Sequence, residues 1–288
     1  MKAVYKRELE SYFNTMTGYV FIAIVSAFIG LYFVLYNLRM GHPYFAAALA
    51  STIAVFIFAV PVLTMKSFAE ERKTKTDQML LTYPVSVPSI VLGKFFAMMT
   101  VYLIPMLIGC LCPLVIRIVG TGSLVIDYST ILLYLLLGAF FISIGMFVSA
   151  LTDSQVIAAV VTMAALLVIV IWDAITNYIP ETPVASLIGF IVIFFLAAFI
   201  IYRTTRCWTA PALIAIFGLV ASVACYFLAE DWFQGALGKL LAALSIYGTI
   251  NNFITYYTFD VKGLLIIVCF IILFVYLTIQ AVQRRRWN

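Results

Sequence analysis

The chain is 288 residues long, 65% hydrophobic and only 10% charged, with a net charge of +5 and a mean hydropathy of +1.15. A soluble domain is nearer ~45–50% apolar and ~25% charged, and a fold of this length has too little interior to hide so much apolar surface. Disorder is excluded too, because 24 Phe and 17 Tyr would collapse. The composition demands an all-α integral membrane protein. At ~20 residues per crossing, at most about ten spans fit, with no extramembrane domain of useful size. The basic residues are scattered between apolar runs, so the positive charge does not point to nucleic acid.

Residues 1–17 read as an amphipathic interfacial helix. Tyr5, Leu9, Tyr12 and Met16 recur at helical spacing, while Lys2, Lys6, Arg7 and Glu8 take the other face. Such a helix lies in the membrane interface with its basic side chains toward lipid headgroups. The apolar stretch behind it is too long for the core of a signal peptide. The remainder, 18–288, reads as one transmembrane domain with eight apolar segments: 18–38, 45–65, 95–119, 129–151, 156–175, 184–202, 210–229 and 263–282. The apolar core of 234–249 is too short to cross and reads as an external re-entrant or interfacial hairpin. A six-span alternative would deny two crossings to 184–229, but Arg203 and Arg206, with ~20 apolar residues on either side, favour a true hairpin.

An even number of spans puts both termini on one side. With the N-terminus inside, thirteen of the 17 basic residues are cytoplasmic, leaving only Arg39, Arg117, Lys239 and Lys262 outside. That asymmetry indicates an N-in, C-in topology. The long cytoplasmic loop 66–94 is the most charged part of the chain. Residues 67–81 can form a helix, with Phe68, Met79, Leu80 and Leu81 apolar and Glu70, Glu71 and Arg72 polar, before Pro84 ends it. A short amphipathic turn, 88–94, leads into span three. An exposed Met-Leu-Leu patch at the cytoplasmic face needs the headgroup layer or another protein to bury it.

Several chemistries are missing. No G-x-x-x-x-G-K-[ST] loop is present: Gly93-Lys94 is followed by Phe95 and Gly238-Lys239 by Leu240. The sole histidine, His42, falls in a short external loop, which leaves no histidine-based metal cluster. Cys110 and Cys112 point to different faces of one helix and read as buried small hydrophobes. Arg117 and Asp173 lie at outer span ends, where snorkelling removes most of their cost. Gly138, Gly145 and Ser149 in span four, and Ala158, Thr162 and Ala165 in span five, form small-residue faces suited to close packing. With only 152–155 between them, the two spans should make a tight hairpin.

Four stretches resemble the permease subunits of type-2 ABC transporters, in the subgroup near the gliding-motility GldF permeases. They are YKRELESYFNTMTGYVF (5–21), FAEERKTKTDQMLLTYPVS (68–86) closing with VLGK (91–94), SIGMFVSALTDSQVIAA (143–159) and TIQAVQRRRW (278–287). Together they sample most of the chain outside 180–235. Lys75 stands where many relatives have glycine before the threonine, and the expectation is that no special backbone angle is needed there. The resemblance implies a bacterial cytoplasmic-membrane exporter subunit that pairs with a second permease copy or paralogue and binds two copies of a separate ATP-binding subunit. It implies no cofactor in this chain, since ATP and Mg would be held by that partner. It also assigns docking to a coupling helix with Phe68, Glu70, Glu71, Arg72, Met79, Leu80 and Leu81, together with Thr152 and Asp153. An accessory envelope subunit fits a second reading, in which the ABC complex does mechanical or assembly work as a non-transporting scaffold. A self-sufficient secondary transporter is disfavoured by the lack of mid-membrane carboxylates and of inverted repeats.

Overall fold

The computed structural model describes residues 1–75, 86–120, 122–178, 180, 182–205, 216–219, 235–243, 245, 246, 248, 253 and 261–286. Among these residues the chain is helical without strands. Six helices are long and apolar enough to cross a membrane.

The chain divides into two compact units, Met1–Val168 with Thr249–Asn288, and Ile169–Gly248. In the first unit, α1 (Lys2–Asn14) ends at Thr15, whose extended backbone (ψ 148°) turns the chain into α2 (Met16–Tyr32). A π-helical turn, Phe33–Arg39, prolongs α2. α3 (Ala46–Thr64) runs back, and after Met65 the chain re-enters a helix as α4 (Lys66–Lys73). α5 (Val87–Gly109) and α6 (Cys112–Val119) form the next crossing. α7 (Leu124–Leu151) returns, and α8 (Gln155–Asn177) crosses again. The second unit takes the end of α8, α9 (Pro183–Thr205) and the short α10 (Ala236–Ala243), after which α11 (Val261–Arg286) closes the first. The prolines at 61 and 105 lie inside α3 and α5. Membrane helices tolerate them because neighbouring helices and side chains satisfy the freed carbonyls.

Most span boundaries fall within a few residues of expectation. Span three does not: helix α5 starts at Val87, so 88–94 is its first two turns and not a separate element. Pro88 suits that start, where a missing N–H costs nothing. The expected seventh span lies outside the described residues except for 216–219, which are helical. Of the expected re-entrant segment, Gly235 (φ +65°) and α10 are described. Within the second unit, the Trp172 Nε1–H donates to the Leu241 carbonyl at 3.0 Å.

α7 is the centre of the first unit. It packs against α3, α4, α5 and α11, and Phe140, Phe141 and Ile142 are wholly buried in it. The small-residue stripe has definite partners. Gly138 lies against the ring of Tyr102, and Gly145 lies against Thr64. A Cβ at either site would overlap those side chains, so glycine sets how closely α5 and α3 approach. The stripe therefore serves α3 and α5, and the tight hairpin expected between 129–151 and 156–175 is not formed: α8 does not pack along α7. Ala158 and Thr162 are nonetheless buried.

α11 runs parallel to α7, because Phe270 and Phe274 follow the same direction as Phe140 and Phe147 in their ring contacts. The C-terminal ends of α7 and α11 thus lie at the end of the unit that also carries α1 and α4. Within this unit, Lys2 at the start of α1 and Arg286 at the end of α11 therefore share one end.

Candidate coupling site

At this end, three segments distant in sequence are drawn together by charge. Lys94, in the second turn of α5, is the organiser. Its side chain is 2% exposed, and its Nζ lies 3.1 Å from Glu8 Oε1 on α1 and 2.9 Å from Glu71 Oε1 on α4. It also donates to the Ser67 carbonyl at 2.8 Å and stands 5.1 Å from the centroid of Phe68. Arg7 completes the cluster with contacts of 2.7 Å to Glu8 and 3.0 Å to Glu71. A buried ammonium is tolerated only when paired and fully hydrogen-bonded, and here two carboxylates, a carbonyl and a ring face do that.

The electrostatics agree. Burial alone would raise the Glu8 carboxyl, but Lys94 and Arg7 outweigh it and hold it below the usual carboxylate range. Burial likewise works against the Arg7 guanidinium, and Glu8 and Glu71 reverse the effect, raising it above its ordinary value. The Tyr12 hydroxyl, buried beneath the cluster near Glu8, is raised far above its ordinary range chiefly by desolvation. It donates to the Leu63 carbonyl at 3.2 Å.

These contacts revise the reading of 1–17. Lys2 and Lys6 remain exposed, yet Arg7 and Glu8 turn to protein partners instead of headgroups. The physical reason is Lys94, whose burial requires acidic company from α1. Gly93 makes room for it. A Cβ there would come within 3.1 Å of Val4 Cγ1 and 3.3 Å of the Tyr5 nitrogen, so any larger residue would push α1 outward by a few tenths of an ångström.

α4 is anchored separately to the end of α7. Ser149 Oγ accepts from the Phe68 and Ala69 N–H groups, each at 3.1 Å, and donates to the Met65 carbonyl at 3.1 Å. One hydroxyl thereby satisfies two of the donors that a helix start leaves open. Arg72, its side chain 6% exposed, donates to the Thr152 carbonyl at 3.2 Å and to Asp153 Oδ1 at 3.3 Å. The two segments assigned to docking from the sequence, α4 and the 152–155 turn, are one continuous surface joined through Arg72.

The assigned residues play unequal parts in it. Phe68 is buried and anchors the helix, while Glu71 turns inward to Lys94. Glu70 is exposed, as is the Asp153 side chain at 72%. Met79, Leu80 and Leu81 lie outside the described residues. The helix expected over 67–81 ends at Lys73: Thr74 Oγ1 donates to the Glu70 and Glu71 carbonyls, and Lys75 takes a left-handed backbone (φ +57°). That overturns the expectation for Lys75. A special angle is needed there, and it is the angle glycine adopts most cheaply and the one that commonly closes a helix.

The opposite end of the unit is held differently. The Phe45 N–H, at the start of α3, donates to Asp127 Oδ1 at 2.8 Å. Asp127 precedes the expected span 129–151, but α7 begins at Leu124 and buries it completely. An acidic residue in a helix's first turn also suits the helix dipole. Arg117 donates to the Gly122 carbonyl at 3.2 Å, the structural role expected of it. Asp173, the other ionisable span end, has a side chain outside the described set.

Residues 7–183 match the family model described as ABC-2 family transporter protein, a stretch that includes the whole charged cluster, α4 and the 152–155 turn. Among curated proteins none matches the chain.

Proposed function

The chain belongs to the ABC-2 transporter family, as a multi-pass permease subunit of the cytoplasmic membrane that partners an ABC ATP-binding subunit, and from that premise we propose that it works as half of an exporter. Two permease subunits, identical or paralogous, would enclose the path, and each would dock one copy of the ATPase, which holds ATP and Mg. The four stretches quoted above support a place near the gliding-motility permeases within the family. The positive end of the first unit, carrying α1, α4 and the end of α11, is the cytoplasmic one in this reading, because basic residues are retained on that side.

The observation that carries the docking surface is the Arg72 bridge. α4 and the 152–155 turn are locked to each other, and α4 is locked through Glu71 and Lys94 to α5 and α1. A push delivered to this surface at the exposed Asp153 would pass through these ion pairs to α3, α5 and α7. Closure of the nucleotide-binding pair would then rock α3, α5 and α7 as a body.

The test is co-expression with the cognate ATPase. Leu80→Asp with Leu81→Asp is expected to abolish co-purification. Arg72→Ala is expected to leave the complex intact but lower ATPase stimulation and vesicle export together. Survival of both activities in these variants would remove the docking assignment. An ATPase stimulated by no cargo, with no transport in vesicles, would favour mechanical work on the envelope over export.

A further inference from the structure

We propose that the cytoplasmic end of the α2–α3 pair is a binding site for a single phospholipid bearing a phosphate and a primary ammonium, of the phosphatidylethanolamine type. The site has two adjoining parts. The first is an apolar groove of about 410 Å³ between α2 and α3. Val20, Ile24 and Phe28 on one helix and Phe58 and Val62 on the other are exposed along it, and buried Phe21 forms its floor. The lining runs from Val20 to Tyr32, about 18 Å at 1.5 Å per residue. That matches one leaflet of a ~30 Å hydrocarbon core, so the groove is the length of one acyl chain entering from one side.

The second part is a polar pocket, also about 410 Å³, that includes Ser11, Thr15, Lys66 and Glu70 in its wall. Lys66 lies one turn beyond Val62, which puts a cation at the inner end of the apolar groove. Its Nζ donates to Thr17 Oγ1 at 3.0 Å, leaving two donors of the ammonium for a ligand. Among the described residues Lys66 has no acidic partner, and Glu70 has no basic one. This contrasts with the rest of the pocket, where Arg7, Glu8, Glu71 and Lys94 neutralise one another.

Lys66 and Glu70 are four residues apart on α4, the spacing at which opposite charges meet on a helix face, yet they do not bridge. An unbridged cation and anion lining one pocket, with an acyl-length groove leading from the cation, complement a zwitterionic headgroup. The phosphate goes to Lys66 and the ammonium to Glu70. An anionic phosphatidylglycerol would satisfy Lys66 alone and would set its charge near Glu70. Nothing in this assignment depends on the direction of transport.

The test is native mass spectrometry of the full chain after delipidation and re-addition of phosphatidylethanolamine, phosphatidylglycerol or phosphatidylcholine with matched acyl chains. The wild type is expected to retain phosphatidylethanolamine most strongly. Lys66→Gln should lower retention of all three by about tenfold, the worth of one charge-assisted hydrogen bond, and Lys66→Arg should restore it. Glu70→Gln should erase the preference for phosphatidylethanolamine over phosphatidylglycerol while total retention stays. Val62→Trp, which fills the groove, should lower all three. Equal retention of the three lipids by the wild type, or an unchanged preference in Glu70→Gln, would overturn the proposal. So would efficient disulfide cross-linking of Phe58→Cys between two chains, since a second copy would then cover the groove. Glu70 is exposed, so its variant decides the matter even if Lys66→Gln fails to fold.

Discussion

The two ends of the first unit solve the same problem, joining helices across a membrane, with different chemistry. At the end carrying α1 and α4, the joints include charged side-chain pairs, Lys94 to Glu8 and Glu71 and Arg72 to Asp153, beside backbone-directed bonds from Ser149 and Tyr12. At the other end they run from side chain to backbone. Asp127 receives the Phe45 N–H, Asn37 donates to the His42 and Tyr44 carbonyls, and Arg117 donates to the Gly122 carbonyl. Backbone-directed bonds fix where a helix starts and stops. Charged bonds between helices fix how one helix responds when another moves, because neither ion can be abandoned in a low-dielectric site without a large penalty. On the docking proposed above, force enters at the charged end and the other end acts as a closure.

The comparison breaks most severely at Lys94. Lys94→Met removes the buried one of the two cations that Glu8 and Glu71 share and should destabilise the protein by about 3 kcal/mol, the lower part of the range for orphaning a buried ion, since Arg7 remains beside both carboxylates. Thermal unfolding in detergent, followed by tryptophan fluorescence, checks it. Ser149→Ala comes next. It leaves the Phe68 and Ala69 N–H groups without an acceptor and should cost about 2 kcal/mol, with faster proteolysis of α4 as a second readout. At the opposite end, Asp127→Ala should cost about 1 kcal/mol by freeing the Phe45 N–H, while Asp127→Asn, which keeps a carbonyl acceptor, should come close to wild type. An Asp127→Asn variant as damaged as Asp127→Ala would show that charge, and not capping, matters there.

Much of the scaffold was legible because membrane helices advertise themselves. α3 lies within one residue of the expected 45–65 at each end, for no charged residue interrupts that run and a span has one natural length. The stripe of Gly138, Gly145 and Ser149 was visible as well, but its partners were not: small residues say that something approaches, and only the fold says it is Tyr102, Thr64 and α4. The charged cluster was the largest omission. Lys94 reads as one more cytoplasmic basic residue, and Glu8 as a solvated member of an interfacial helix, because their meeting depends on a contact across 86 positions. Gly93 beside Lys94 was the available hint, a glycine next to a charge at a helix start, where close approach has to be allowed. Lys75 was misjudged for a local reason. The glycine of its relatives signalled a left-handed angle, and a lysine can pay the strain of one when the preceding Thr74 already caps the helix.

The gentlest probe of the comparison is pH, read at Glu8 against its Gln variant so that the response of Asp127 at the other end cancels. Glu8 has its carboxyl held below the ordinary value of 4.5 in the folded protein. A carboxyl depressed by folding contributes stability that is present above its unfolded pKa and is lost as pH falls through its folded one. Arg7 is shifted upward from its ordinary value, so it stays charged in both states and adds no slope in acid. The charged end should therefore loosen only below about pH 4.5, with a small fall in melting temperature superimposed on the general acid response. Glu8→Gln supplies the control: the gap in melting temperature between wild type and this variant should be largest near neutral pH and should close as the medium is acidified. A gap that stays constant down to about pH 3 would mean that Glu8 contributes through packing against α5 and not through its charge, and the distinction between a force-bearing end and a merely closed one would then rest on Glu71, Lys94 and Arg72 alone.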